Sequence, residues 1–283
     1  MPKSPEWAQV DKLVEEQKFA EAQTLVRTIR ERAQKTGEAA AEEWTAALLR
    51  EVQFELVLSG FETAVQLLRE QPWPKEILSQ LTLELYYANS LTVYLQSYSW
   101  EIGQREKVET KGTSGLKAWS KDQIVAEAQH AYQRVWEHRL ELSQAPLELL
   151  KSNLEPNDYP PHIRGTLRDA VSYLAVEQLS NSQHFTPEQS NGLYLLDLPA
   201  LIRGSDPSGP TAAALANQQP TKLDDPKLHP LVRAMAVLDD LESFHRQQGH
   251  LEAALEARLT RISTLHMVLT EPHDRELLRT HLT

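Results

Sequence analysis

Two Glu-x-x-His pairs, Glu127/His130 and Glu242/His245, come nearest in this sequence to a constellation that does chemistry. On a helix this spacing puts a carboxylate and an imidazole on one face. Carboxylate-bridged di-iron bundles use such pairs, together with an inward-facing Glu from each of two further helices. The flanking helices here offer no clearly buried Glu in an apolar stripe. With 10 histidines and abundant glutamate in the chain, pairs at this spacing arise by chance. Solvated or core-edge pairs are the simpler expectation, and neither a metal nor a cofactor is expected. The acidic run Asp239-Asp240 beside Glu242 reads as a solvated face.

Other chemistries lack their residues. The chain has no cysteine, which excludes disulfides, thiol catalysis and Cys-ligated metal. No His-Glu-x-x-His, Gly-x-Ser-x-Gly or phosphate-loop pattern occurs. Gly192, Gly204 and Gly209 sit in irregular segments without the strand and helix that a phosphate cradle needs. No catalytic residue is assigned, and the chain reads as a non-enzyme.

An aromatic strip is the remaining candidate surface. Tyr86, Tyr87, Tyr94, Tyr98 and Trp100 crowd one stretch, with Trp119 and Trp136 further on. Filler between helices is the plainer reading. If a partner surface exists, Tyr94, Tyr98, Trp100 and Trp119 are the residues expected to form it.

The elements that would position these residues are helical. Ala, Leu, Glu and Gln recur, only 10 of 283 residues are Gly, and straight side chains favour helices. Ser4 caps a first helix with Pro5 at its first position and Trp7, Val10 and Leu13 at helical spacing. Phe19 and Ala22 then sit three apart after a turn, as in the tetratricopeptide (TPR) hairpin. There a large residue fills the space between paired helices and a small one lets backbones approach. Phe61/Ala64 after Gly60, and Leu251/Ala254 after Gly249, repeat that spacing. Truncating Phe61 or Leu251 to Ala is therefore expected to cost about 2–5 kcal/mol, as for a buried large residue.

Pro74 is expected to open a helix that runs to about Tyr98, and Glu101 to Ser114 reads as an exposed polar loop. Ser120/Gln123 and Thr186/Gln189 form capping boxes. Ala145 to Leu154 reads as a short helix, and His162 to Ser180 as an amphipathic one. Residues 203–228, rich in Gly, Pro, Asp and Gln, read as a mobile linker or long loop, and deleting Asp206 to Asp224 is expected to leave stability nearly intact. The expected architecture is all-α: an irregular, TPR-like α-solenoid array of antiparallel hairpins over 1–202, continued by a hairpin at 229–283. The apolar residues Leu277, Leu278 and Leu282 at the end suggest that a longer protein continues past them.

Segments in this order resemble the helical N-terminal region of large bacterial alpha-2-macroglobulin-like proteins. The resemblance is carried by Val10 to Leu13, the Phe19/Ala22 hairpin, Leu81 to Tyr87 leading into Tyr98-Ser99-Trp100, and Trp119 to Ile124. It continues through Pro146-Leu147, the Tyr159-Pro160 loop and Arg164 to Ala170 leading into Tyr173-Leu174. It ends in Phe244-His245 with the Gly249 turn and the helix from Ala253 to Thr260. The resemblance implies a module of an envelope protein that traps foreign proteases. In that family the trapping belongs to downstream β-domains, often with a Cys-Glu thioester, so no catalytic residue carries over. A periplasmic or envelope location is what the resemblance implies; the sequence itself has no export signal at its start, so the alternative is a cytosolic TPR-type adaptor.

The net charge of −11 argues against nucleic-acid and anionic-membrane surfaces, and no apolar run is long enough to span a bilayer. A protein partner, or neighbouring domains of the same longer chain, is the expectation left.

Overall fold

A computed structural model describes residues 4–105, 115–150, 158–204 and 222–281. Among them the protein is all-helical and no strand forms; Pro146 and Thr166 make one isolated antiparallel bridge. No helix among the described residues is long and apolar enough to cross a membrane. The chain divides into two compact units, Met1–Ala131 and Tyr132–Thr283. The division falls inside a helix rather than in residues 203–228.

The first unit is a run of helices in which each packs on the next. Helix α1 (Pro5–Glu15) is capped by Ser4, whose hydroxyl accepts from the Trp7 amide. Helix α2 (Phe19–Thr36) lies against α1 and, more extensively, against α3 (Ala41–Leu58). Helix α4 (Phe61–Glu70) packs on α3, and α5 (Ile77–Ser97) on α4 and α3. The core of the first three helices joins Val10, Leu13, Ala22, Val26, Ile29, Ala47 and Phe54. Removal of this apolar surface from water is the main stabilising contribution.

Pro74 does not open α5. The helix begins at Ile77 because the Glu76 carboxylate accepts from the amides of Leu78 and Ser79 at 2.9 and 2.7 Å. The segment expected as a loop from Glu101 starts in a short helix, α6 (Ser99–Gly103); residues 106–114 lie outside the described residues. The Ser120/Gln123 box is present: Ser120 N donates to Gln123 Oε1 at 2.8 Å, and Gln123 N to Ser120 Oγ at 3.4 Å. It opens α7 (Lys121–Glu137).

The second unit is built on α8 (Arg139–Leu142), α9 (Leu167–Ser180), α10 (Pro187–Gly192), α11 (Leu198–Arg203), α12 (Pro230–Gln247), α13 (Leu251–Val268) and α14 (Pro272–Arg279). Helix α12 is central, with α9 on one side and α13 on the other. The expected helix from His162 starts only at Leu167. Thr166 and Asp169 form a capping box there, and Asp169 Oδ2 takes the Thr166 amide at 2.9 Å. The Thr186/Gln189 box opens α10 as expected. Of the expected helix at Ala145 to Leu154, Leu147–Leu150 is a single 3-10 turn, and 151–157 lie outside the described residues.

Residues 222–228 are not a free linker. Leu223 is fully buried; its amide donates to Gln133 Oε1, and its carbonyl accepts from the buried Arg233 guanidinium. The rest of that segment, 205–221, lies outside the described residues.

Two hairpin turns share one geometry. At the end of α1, Lys18 N donates to Leu13 O at 2.8 Å and Gln17 N to Val14 O at 3.0 Å. At the end of α12, His250 N donates to His245 O at 2.8 Å and Gly249 N to Arg246 O at 3.1 Å. Both are Schellman motifs, which satisfy the orphan carbonyls at a helix end through one residue in the left-handed region. That residue is Gln17 (φ 59°) in the first and Gly249 (φ 77°) in the second.

Candidate functional site

The two Glu-x-x-His pairs do not build a metal centre. Glu127 and His130 are 3.9 Å apart on an open face of α7, with the His130 side chain 49% exposed. Glu242 and His245 are both buried, but they turn to different partners. Glu242 is held by Arg261 and Arg246 at 2.5 Å each, and Arg258 stands at 3.8 Å. His245 Nε2 lies 2.8 Å from Asp169 Oδ1. No group of three or more metal-capable side chains converges among the described residues.

The acidic run on α12 is not a solvated face. Asp240 accepts from Arg168 at 2.6 Å and from Arg139 at 3.1 Å, while Asp239 accepts from Arg261 at 2.6 Å. These carboxylates stitch α12 to α8, α9 and α13. Arg139 also lies 3.9 Å over the Trp136 ring and Arg168 3.8 Å over Phe244, so each guanidinium is paired on its edge and covered on its face. Burial lowers the Arg168 guanidinium below its usual range, against the pull of Asp240. On the neighbouring loop Arg164 sits between the Tyr159 and Tyr173 rings, at 3.9 and 3.7 Å, and donates to Glu256 at 2.5 Å. Desolvation raises the Tyr173 hydroxyl well above its ordinary value. Gly204, which ends α11 at φ 57°, backs directly onto Asp239 and Arg261; a Cβ there would collide with both. The first unit holds a smaller version of such pairing: fully buried Glu51 on α3 accepts from Arg30 at 2.6 Å and Arg27 at 2.9 Å.

The aromatic strip divides. Tyr94 has no exposed surface, so it cannot belong to a partner surface. Its ring packs against Phe61 and Tyr98 at 6.2 and 5.1 Å, and its hydroxyl accepts from Arg105 at 3.0 Å. Tyr98 is half-buried in the same cluster, edge-on to Phe61 at 6.1 Å. Trp119 is half-buried beneath Arg69, at 4.8 Å. Trp100 alone is open to solvent, 79% exposed, on α6.

The repeat positions also divide. Ala22, Ala64 and Ala254 are all buried, as close backbone approach requires. Phe19 is partly buried, its ring 6.4 Å from Phe54 of α3. Phe61 is partly buried among tyrosines. Leu251 is 71% exposed, so it fills no interhelical space. The turn is the same as at Phe19; the next helix, α14, packs on α13 but leaves the place over Leu251 vacant.

That vacancy extends along α13. Leu251, Leu255, Leu259 and Met267 recur at multiples of four and are 71, 56, 37 and 70% exposed. Exposed Ser263 occupies the remaining place in the row. Leu251 was expected in the core; its i, i+4 row was legible from the spacing, but not its exposure.

No protein-family model matches the chain, and neither a curated protein nor a solved structure matches it.

Proposed function

We propose that this protein is a non-enzymatic helical interaction module that presents helix faces to a protein partner. The observation that carries this reading is the fate of its chemistry-bearing side chains. Glu51, Asp169, Glu242 and His245 are buried and committed to one another or to arginines inside the helical packing. Among the large apolar side chains left at the surface are Trp100 on α6 and the leucines of α13. Stacked hairpins that bury a continuous core and leave helix faces open are suited to holding a partner.

The TPR-like character of the array belongs to the same proposal. It is supported by the shared turn at Gln17 and Gly249 and by the buried Ala22 and Ala254 that follow it. The resemblance to the N-terminal region of bacterial alpha-2-macroglobulin-like proteins extends the proposal to an envelope protease-trapping protein, with the module docking a partner or the rest of its own chain. A free-standing cytosolic adaptor is the second reading.

One experiment tests the module reading. The full chain is titrated with a panel of helical and extended peptides while substrate turnover is monitored with generic hydrolase and oxidoreductase probes. Saturable binding without turnover is expected. Turnover that tracks the purified protein would overturn the proposal. The coding frame on either side of residues 1–283 separates its two versions: an export signal upstream and β-rich domains downstream support the family version, and their absence supports the adaptor.

A further inference from the structure

We infer that the outer ridge of α13, formed by Leu251, Leu255 and Leu259, is a docking face for a single amphipathic α-helix of a protein partner. The inference rests on the module reading above and names the surface and the occupant.

The internal equivalence of the two hairpins identifies the occupant. The shared turn aligns Gln17 with Gly249, and the following helices then share four buried positions, while Ala253, Ala257 and Thr264 of α13 are buried where Glu21, Leu25 and Arg32 of α2 are not. Ala22, Ile29, Arg30 and Ala33 of α2 are buried, as are Ala254, Arg261, Ile262 and Leu265 of α13. In this alignment Phe19, Gln23 and Arg27 stand where Leu251, Leu255 and Leu259 stand. All three touch one helix, α3. Phe19 meets the Phe54 ring, Gln23 donates to Glu55 at 2.6 Å, and Arg27 to Glu51 at 2.9 Å. The ridge of α2 is thus a helix seat, filled within the chain. The ridge of α13 is the same seat: α14 packs on α13 without covering Leu251, Leu255 and Leu259.

The chemistry of the seat differs. Where α2 offers an amide and a guanidinium to two carboxylates, α13 offers leucine. The covering helix must therefore be apolar at j, j+3 and j+4, the spacing at which α3 presents Glu51, Phe54 and Glu55. An exposed helix face in a hairpin array normally carries polar residues, and a row of three apolar side chains four apart is the ridge that i±4 packing uses. Glu252 borders the ridge, exposed but already within 2.7 Å of His162 Nε2. It and the net charge of −11 favour a helix whose polar face carries Lys or Arg. The ridge is one helix wide. Three partly exposed side chains fall short of the ~800 Å² per partner of a standard stable interface, which fits a single inserted helix better than a second copy of this chain.

The probe is a fluorescein-labelled, Lys-rich helical peptide as long as α13, with leucines at j, j+3, j+4 and their repeats. Its control has the same composition with the leucines scattered around the helix. Anisotropy titration of the full chain should give saturable binding to the patterned peptide only. The double variant Leu255→Glu/Leu259→Glu should weaken it at least about tenfold, and Leu195→Glu, at an 87% exposed leucine elsewhere, should leave it unchanged. Equal binding of the scattered peptide, or equal loss in Leu195→Glu, overturns the inference. So does a Leu255-dependent dimer in light scattering. Because the chain has no cysteine, Leu255→Cys can carry a single environment-sensitive dye. A blue shift on adding the patterned peptide is expected, and an unchanged spectrum at saturation overturns the inference even if the double variant is unstable. If the chain binds other peptides through another face while the ridge stays silent, the ridge assignment fails and the module reading stands. If it binds none and turns over a substrate, the module reading itself fails.

Discussion

His245 Nε2 lies 2.8 Å from Asp169 Oδ1 with both side chains buried, and this one contact ties the last turn of α12 to the capping box of α9. Asp169 does two jobs at once. Its other oxygen accepts from the Thr166 amide and hydroxyl at 2.9 and 2.8 Å. Losing a cap costs about 1 kcal/mol, and leaving a buried donor without its acceptor costs about 1–3 kcal/mol more. Thr166→Ala should therefore lower the unfolding free energy by about 1 kcal/mol, and Asp169→Ala by about 2–4 kcal/mol. Urea unfolding checks both. Equal losses would mean that the His245 contact contributes nothing.

The two Schellman turns make opposite predictions for the same kind of change. Gln17 holds φ 59° and Gly249 holds φ 77°, a region that costs a residue with a Cβ about 1–2 kcal/mol. Gln17→Gly should stabilise the protein by about 0.5–1 kcal/mol and Gly249→Ala should destabilise it by about 1 kcal/mol. Gly204→Ala should cost more than either, because its Cβ also meets Asp239 and Arg261. Thermal melts of the three variants give the order. If Gln17→Gly destabilises, the left-handed assignment at the first turn is wrong.

Phe61→Ala and Leu251→Ala should part company. Phe61 sits among Tyr94 and Tyr98 and its truncation should cost about 2 kcal/mol, less than the ~3–5 kcal/mol of a fully buried Phe. Leu251 is 71% exposed, so its truncation should change stability by less than about 0.5 kcal/mol. Equal melting temperatures for the two variants would contradict this.

A pH dependence follows from His229. Its Nδ1 accepts from the Leu231 amide at 3.0 Å, capping α12, and its Nε2 donates to the Gln189 carbonyl at 2.8 Å. Only the neutral ring does both. Burial lowers its pKa below 6.5, with Arg233 adding to the effect and the Gln189 bond opposing it. Between the folded value and 6.5 the unfolded chain binds more protons, so this histidine's contribution is full above that window and is lost as pH falls through it. His229→Asn, which keeps a capping oxygen but does not titrate, should reduce the loss of melting temperature between about pH 7 and 5. An unchanged pH slope would remove His229 from the account.

Local features of this fold were legible, and long-range ones were not. The Ser4 cap, the Ser120/Gln123 and Thr186/Gln189 boxes and the turns at Gly60 and Gly249 depend on residues within a few positions of one another. The Thr166/Asp169 box escaped notice because apolar Ile163 continues the helical period upstream of it, and because Asp rather than Glu or Gln stands at its third position. Asp239, Asp240 and Glu242 read as a solvated face because their partners are remote in sequence. Arg139 is 101 positions from Asp240 and Arg168 is 72. Whether Tyr94 was filler between helices or part of a surface was not legible locally because its cover is tertiary: Phe61 on α4 and Arg105 beyond α6. Leu251 looked like core for the converse reason. Its spacing to Ala254 matches Phe19 and Ala22, but exposure depends on whether a third helix covers it.

The most direct measurement is a hydrogen-exchange footprint of the full chain with and without the patterned helical peptide. Slowed exchange across Leu251–Val268, the helix that carries the ridge, is the expected result. A footprint confined to the segment around Trp100, or none at saturating peptide, would contradict the claim that this protein works by seating a partner helix on α13.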